Sequence, residues 1–287
     1  MKYRRLILAL VLFSGSARIA SVMAQSIALR TSPLSTRWDF NRPGDTEGWF
    51  AGSDLGPLDV DGGLLGTLKS TILGGDPFLV SPPLQLDAQR SQHLLIRFRA
   101  SDGRRVAGTT AAIYWTTDGT WSSDRSLSFP LPATTPWWTH HVDLSQHPNW
   151  RGTITQLRLD PTEDGARGEV EIDWIELRAG SFAGFSPLEK AYQHLENQMD
   201  QYAARTTPRF IESYMSPHPP STWDQAFTYD QATVIHAFLA RGTPHDLKRA
   251  EILAGFLLDA QRGDGSVIQA YQASSVGVPA DGGGCFR

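Results

Sequence analysis

The segment His93–Ala100 reads HLLIRFRA and gives the clearest sign of the fold. Every second position is apolar, at Leu94, Ile96, Phe98 and Ala100. Arg97 and Arg99 fall on the opposite side. This period of two predicts a β-strand with one face toward the core and one charged face.

The same period continues on both sides of this segment, from Arg37 to Arg178. Further predicted strands are Ala111–Thr116, Trp137–Val142, Ile154–Asp160 and Val170–Leu177, and Asp-Gly turns begin at Asp102, Asp118 and Asp164. Many short strands at regular spacing indicate an all-β sandwich or barrel. We therefore predict a multidomain chain with a β-sandwich domain over residues 36–178.

After Gly184 the apolar period changes to that of a helix. A first helix is predicted from Ser186 as N-cap, Pro187 at the first position and Glu189 in the capping-box position. Its predicted apolar face consists of Leu188, Ala191, Tyr192, Leu195, Met199 and Tyr202.

Two further helices are predicted to form an antiparallel helical hairpin. One starts with Thr228 as N-cap and Gln231 in the box position, and it ends at Gly242. The other starts with Thr243 and Pro244, and it ends near Gly263. Arg205–Phe227, before the hairpin, is predicted to be a long but ordered loop because aromatic residues lie close by.

The N-terminus has the features of a secretory signal peptide. Basic residues precede the apolar run Leu6–Phe13, and the small-residue pattern Val22-Met23-Ala24 follows. The apolar run is shorter than the ~20 residues of a spanning helix. We predict a signal peptide over residues 1–24, a secreted or periplasmic mature protein and no membrane span.

Charge and cysteine content exclude several kinds of site. The 26 basic and 30 acidic residues give a net charge of −4, and residues 1–24 contain four basic residues and no acidic ones, so the remainder carries −8. An acidic chain without a basic cluster does not favour nucleic acid. One cysteine, Cys285, excludes an internal disulfide and a cysteine-based zinc site.

Several ordered segments of the β-region resemble a galactose-binding-like jelly roll, a fold shared by many carbohydrate-binding modules of secreted bacterial proteins. These segments are Trp38–Phe40, Asp45–Trp49, Ala111–Gly119, Leu157–Pro161 and Val170–Ile175. The resemblance implies a polysaccharide or oligosaccharide partner. Modules of this type also serve as inert spacers, so both interpretations stay open.

The helical region resembles the opening of a six-hairpin (α/α) toroid, the fold of several glycoside hydrolases. The matching segments are Ala226–Ala232, Ala250–Gln261, Gly263–Gly265 and Ala270–Tyr271. The resemblance covers residues 186–275 and implies an incomplete toroid, which needs missing sequence or a partner to cover its helices. Residues 276–287 are predicted to be an irregular tail, either a truncated end or a flexible native one.

Two loop tryptophans are predicted to bind carbohydrate. Trp121 and Trp150 lie among polar loop residues, and loops carry function more often than strands. Trp38, Trp115 and Trp174 lie within predicted strands, which favours core packing.

The predicted catalytic residues are Asp224 and Asp230, because glycoside hydrolysis commonly uses two carboxylates. Trp223 and Tyr229 beside them are predicted to form a sugar platform. Asp230 also fits a simpler role, since a carboxylate in the first turn of a helix stabilises the helix dipole. The sequence therefore leaves enzymatic activity uncertain: the parent protein is glycoside hydrolase-like, and this chain is predicted to be inactive as written.

Jelly rolls of this type often hold a structural calcium ion, which is the one cofactor that the resemblance implies. Asp39 and Asp173 are the predicted ligands, because calcium prefers carboxylate and carbonyl oxygens. Solvated edge carboxylates explain the same pattern. Two functional hypotheses follow: an exported carbohydrate-active protein with a truncated hydrolase-like domain, or a non-catalytic secreted or cell-surface glycan-binding protein.

Overall fold

The computed structural model describes residues 35–61, 65–101, 108–132, 137–163, 167–180, 182–200, 210–213, 225–273 and 285–286. The predicted signal peptide, Tyr202, Trp223 and Asp224 lie outside these ranges. In the described part, a β-sandwich precedes a smaller region with three helices.

One layer of the sandwich is a six-stranded antiparallel sheet. Its central strands are β7 (Ser91–Ser101) and β13 (Gly168–Ala179). Around them lie β1 (Thr36–Trp38), β3 (Asp59–Val60), β4 (Leu68–Ile72) and β10 (Trp138–Asp143). The order is β10-β7-β13-β4-β3, and β1 also pairs with β13.

The other layer is a five-stranded antiparallel sheet in the order β2-β5-β12-β8-β9. Its strands are β2 (Phe50–Ala51), β5 (Leu79–Val80), β8 (Thr110–Thr116), β9 (Ser126–Pro130) and β12 (Gln156–Asp160). A separate pair consists of β6 (Leu86–Asp87) and β11 (Thr153–Ile154). The predicted sandwich is confirmed.

The apolar side chains of the two sheets meet in one core. Leu94, Ile96, Phe98 and Ala100 of β7 are all buried there, and Ile113, Trp115, Leu157 and Leu159 reach it from the five-stranded sheet. Burial of apolar surface at about 25 cal/mol per Å² is the main stabilising contribution to such a core. Arg97 and Arg99 lie on the opposite face of β7, as their position in the alternation predicts.

The three helices are α1 (Pro187–Asp200), α2 (Thr228–Arg241) and α3 (Pro244–Ala260). Two strand pairs accompany them: β14 (Gln225–Phe227) with β16 (Ala270–Gln272), and β15 (Val267–Ile268) with β17 (Cys285–Phe286). Cys285–Phe286 lies in the segment 276–287 that was predicted to be irregular, because a two-residue strand leaves no readable pattern. The described residues contain three helices, and these do not show the predicted toroid.

The capping signals of α1 and α3 are confirmed. Ser186 and Glu189 exchange the two capping-box hydrogen bonds, at 3.2 and 2.8 Å. Thr243 caps α3 in a box with Asp246, and Pro244 occupies its first turn. Gly242 ends α2 with φ of 66°, a left-handed conformation that glycine adopts without strain.

The predicted cap of α2 is wrong. Phe227 is the N-cap, and Thr228 is the first helical residue. The Thr228 hydroxyl donates a hydrogen bond to the carbonyl oxygen of Ile268 at 2.7 Å. The Gln231 amide is buried and makes two 2.8 Å hydrogen bonds with the backbone of Ile211, so tertiary contacts use both polar groups of the predicted box.

The predicted apolar face of α1 is only partly correct. Tyr192 and Met199 are buried in the helical core, whereas Leu188 is 67% exposed. Glu196 and Asp200 are buried beside them. The buried side of α1 therefore includes these two acids as well as apolar residues. Arginines of the sheet and of the other helices pair with them. Among the described residues, no helix is long and apolar enough to cross a membrane.

Candidate functional site

The outer surface of the five-stranded sheet carries a row of aligned side chains. Register places Phe50 opposite Val80, Val80 opposite Arg158, Arg158 opposite Tyr114 and Tyr114 opposite Ser126. Because neighbouring strands are ~4.8 Å apart, the row extends over roughly 19 Å. Phe50 at its edge is 50% exposed, and Tyr114 is partly exposed.

Arg158 is the centre of this row. Its guanidinium lies 3.8 Å from the ring centroid of Phe78 and 5.0 Å from that of Tyr114. It pairs with Asp76 at 2.6 Å and with Asp160 at 2.7 Å. The two carboxylates fix the guanidinium, and the guanidinium in turn holds the two rings in place.

Burial changes the proton affinity of Tyr114 in this row and of the neighbouring Asp160. Burial raises the pKa of Asp160, although the paired Arg158 opposes the rise. Burial raises the pKa of the Tyr114 phenol, and the nearby carboxylate of Asp160 raises it further. Tyr114 therefore remains a neutral hydroxyl that can both donate and accept a hydrogen bond at ordinary pH.

We call Phe50, Phe78, Tyr114, Arg158 and Asp160 the aromatic face. It combines flat rings with fixed hydrogen-bonding groups, which is the combination needed to bind a ligand with both apolar and hydroxyl-rich surfaces. None of these residues was predicted from the sequence to bind a ligand. The period-two pattern predicted the strands of Tyr114 and Arg158, but not the short strands β2 and β5. The register that brings Phe50, Arg158 and Tyr114 into one row is visible only in the structure.

Trp121 lies in the loop that connects β8 with β9 and is partly exposed. Its loop is ordered by Asp118, whose carboxylate accepts a hydrogen bond from the backbone N–H of Thr120 at 2.9 Å. That bond is the main reason that the pKa of Asp118 is lowered. Trp121 is thus held at the end of the sheet that carries the aromatic face.

Trp150 lies in the core. It is 6% exposed, and its ring packs edge-on against Trp115 at 5.1 Å. Its indole N–H donates to the carbonyl oxygens of Ala88 and Ser91. A ring buried in this way offers no open face to a sugar, and the polar residues around it in the sequence do not reveal this.

Asp39 and Asp173, the predicted calcium ligands, lie beside basic side chains of the protein. Asp173 is 1% exposed and pairs with Arg97, while His245 lies 3.4 Å away. Asp39 pairs with Arg37 at 2.7 Å. Their oxygens face the protein's own cations, and the described residues contain no cluster of three or more histidine, cysteine or acidic groups fit for a metal ion.

Asp173 reaches this position through a β-bulge. The pairing of β13 with β7 shifts between Ile172 and Trp174, so Asp173 is the extra residue. A bulge redirects side chains, and here both Asp173 and Trp174 lie on the outer side of the six-stranded sheet. The strand periodicity placed Trp174 in the core, but the ring is only partly buried and lies 4.2 Å from the Arg37 guanidinium.

Tyr229 and Asp230 lie together at the start of α2. Tyr229 is 76% exposed, and Asp230 is in the first turn of the helix. Their predicted partners Trp223 and Asp224 fall outside the described residues, so both pairs stay predictions.

A buried charged cluster joins the sandwich to the helices. We define it as Arg97, Asp173, Glu196, Asp200 and Arg249. Arg97 is fully buried and binds Asp173 of β13 and Asp200 of α1, the latter at 2.9 Å. Arg249 of α3 makes two 2.7 Å bonds to Asp200. The pKa of Arg249 is raised, because pairing with Asp200 outweighs the opposing effect of burial.

Comparison with known proteins gives no family. No protein-family model and no curated protein matches the sequence. Structural neighbours include the cleaved K1 adhesin domain of Lys-gingipain from Porphyromonas gingivalis W83, at 16% identity, 51% coverage of this chain, 99% of that chain and a TM-score of 0.36.

Other neighbours are carbohydrate-binding modules with a β-sandwich fold. A low-affinity xylan-binding module from Roseburia intestinalis matches at 13% identity over 52% of this chain and 98% of that one, with a TM-score of 0.34. The family 30 carbohydrate-binding module of a Clostridium thermocellum cellulase matches at 13% identity over 52% and 99%, also at 0.34. At these values the matches assign neither a family nor a ligand to this chain.

Proposed function

We propose that this chain is an exported carbohydrate-binding protein, whose jelly-roll sandwich binds an oligosaccharide or polysaccharide on the aromatic face. The observation that carries the proposal is the register-aligned row from Phe50 to Tyr114, with Arg158 fixed at its centre. Aromatic rings provide apolar surface for the C–H face of a pyranose. The guanidinium, the carboxylates and the phenol provide partners for its hydroxyls.

The expected ligand is neutral. The cationic group of the row, Arg158, is already paired with Asp76 and Asp160. The mature chain is acidic overall, which opposes the approach of polyanions. Soluble xylan, β-glucan and galactomannan are therefore the first probes.

Titration calorimetry of the full chain with these three polysaccharides tests the proposal. We expect Tyr114→Ala to weaken binding about tenfold, because it removes one ring of the row and ~1.4 kcal/mol of contact energy. Trp138→Ala is the matched control, since Trp138 is 49% exposed on the six-stranded sheet. Equal affinity of wild type and Tyr114→Ala would show that the aromatic face is not the site.

A second candidate is that the helical region is the start of a glycoside-hydrolase-like toroid. The observation that favours it is the N-terminus of α2, where the exposed ring of Tyr229 and the partly exposed carboxylate of Asp230 occupy consecutive positions. In this proposal Asp230 and Asp224 act as the two carboxylates of the reaction.

Release of reducing ends from the bound polysaccharide tests this candidate. If the wild-type chain releases reducing ends, we expect Asp230→Asn to lower the rate by at least about tenfold, whereas Glu251→Gln, at an exposed acid in the middle of α3, leaves it unchanged. Absence of any release by the wild-type chain would favour the non-catalytic glycan-binding function.

A further inference from the structure

A groove of about 450 Å³ lies between the sandwich and the helices. Its sheet side is the outer surface of the six-stranded sheet, so it is separate from the aromatic face. Residues from both sides line it, among them Arg37, Trp174, Glu176, Gln193, Arg241 and His245. The volume falls within the ~300–1,000 Å³ of small-molecule sites, which commonly occur between domains.

His245 is a buried polar residue of the groove with weak hydrogen-bonding partners. Its side chain is 10% exposed, and neither ring nitrogen makes a hydrogen bond within the described ranges of the chain. The nearest acceptors are Asp173 at 3.4 Å and Asp39 at 3.5 Å. Arg249 also lines the groove, and its Nε–H has no hydrogen bond to any residue that the structure describes. Buried donors without partners are costly, so a ligand oxygen that reaches them gains affinity.

The charges around the groove are balanced. Four arginines face four carboxylates: Arg37, Arg178, Arg241 and Arg249 with Asp173, Glu176, Glu189 and Glu196. Most of these groups are paired with each other, as Arg37 and Arg178 both are with Glu176, at 3.1 and 3.0 Å. A charged ligand would have to break such pairs. A hydroxyl donates and accepts at once, so it can bind beside them without breaking any.

The groove also has apolar surface, from Trp174 and Phe185. We propose that it is a second saccharide site, which takes one end of a neutral oligosaccharide, with sugar hydroxyls on His245 and Arg249 and a ring face against the aromatic side chains. This inference rests on the proposed carbohydrate-binding function and adds a site that is independent of the aromatic face.

Titration calorimetry with neutral tetrasaccharides of xylose, glucose and mannose tests the inference on the full chain. We expect two sites in the wild type, of which Tyr114→Ala weakens one about tenfold and leaves the other unchanged. Gln193→Phe fills the groove from helix α1 and should remove the other site. His194→Phe is the matched control, because His194 is exposed on the same helix and does not line the groove.

His245→Phe gives an independent measurement, since it keeps the ring and removes both nitrogens. We expect it to lower affinity at the groove about tenfold and to leave the aromatic face unchanged. Thermal unfolding checks that each variant is folded. If His245→Phe does not fold, Gln193→Phe still tests the groove.

The outcomes separate the two proposals. Loss of all binding in Tyr114→Ala, or two unchanged sites in Gln193→Phe, overturns the groove site and leaves the aromatic face intact. Loss of binding in Gln193→Phe but not in Tyr114→Ala supports the groove and overturns the aromatic face. No binding of any saccharide by the wild type overturns both.

Discussion

Burial determines the charge state of individual side chains in this protein. His140 is 7% exposed and packs against the rings of Phe98 and Phe129, at 4.9 and 5.2 Å. Burial lowers its pKa to about 4. The folded state therefore holds His140 neutral, whereas the unfolded chain protonates it near its ordinary pKa of 6.5.

This difference predicts a loss of stability on acidification. The unfolded state binds more protons than the folded state between pH 6.5 and about 4, so the free energy of unfolding falls as pH falls through this range. From pH 7 to pH 5 we expect His140 to account for a loss of about 2 kcal/mol. Denaturant unfolding at the two pH values measures it.

His140→Phe should remove most of this share of the pH dependence, since its neighbours are apolar rings. His236→Phe, at an exposed position of α2, serves as the control and should leave the dependence unchanged. The explanation fails if His140→Phe and wild type lose the same free energy between pH 7 and pH 5.

Helix α3 illustrates how local sequence fixes the start of an element. The Thr243 hydroxyl accepts the backbone N–H of Asp246 at 3.2 Å, and the Asp246 carboxylate accepts the backbone N–H of Thr243 at 3.0 Å. Asp246 also binds Arg241, the last residue of α2. One capping box therefore both starts α3 and fixes the turn of the hairpin.

Loss of this cap should destabilise the chain. Thr243→Ala removes the hydroxyl and is expected to lower the free energy of unfolding by about 1 kcal/mol. Thr233→Ala is the matched control, because Thr233 is exposed within α2 and alanine is the better helix former there. Urea unfolding of both variants measures the difference. A cost for Thr233→Ala as large as that for Thr243→Ala would contradict the capping role.

The charged cluster makes the sandwich and the helices depend on each other. Arg97 on β7 has partners on β13 and on α1, including Asn197 at 3.0 Å. Trp137 covers the Arg97 guanidinium at 5.1 Å from its ring centroid. Separation of the two parts would leave buried charges without partners, which is far more costly than the loss of an exposed ion pair.

We therefore expect the full chain to unfold in one cooperative transition. Arg97→Met should lower the free energy of unfolding by about 3–5 kcal/mol, because Asp173 and Asp200 lose a buried partner. Arg90→Met, which breaks an exposed pair with Asp87, should change it by less than about 0.5 kcal/mol. Scanning calorimetry measures both. Two separate transitions in the wild type would show that the parts are independent domains.

The sequence by itself determined the elements whose signals are local. The alternation in β7 predicts its strand and its charged face, and Ser186 and Thr243 predict the starts of α1 and α3. Each of these signals needs only a few neighbouring residues, because strand alternation and capping are properties of the adjacent backbone.

Only the tertiary structure decided which polar residues meet. Asp173 was predicted to bind a metal ion, and in the structure it pairs with Arg97. Trp150 was predicted to bind carbohydrate from a loop, and in the structure its ring is buried in the core. The aromatic face depends on the register of five strands, and the groove depends on how α1 and α3 lie on the sheet. Arg97 and Asn197 are 100 residues apart. Contacts at such separation depend on how the whole chain packs, and no local period of the sequence encodes them.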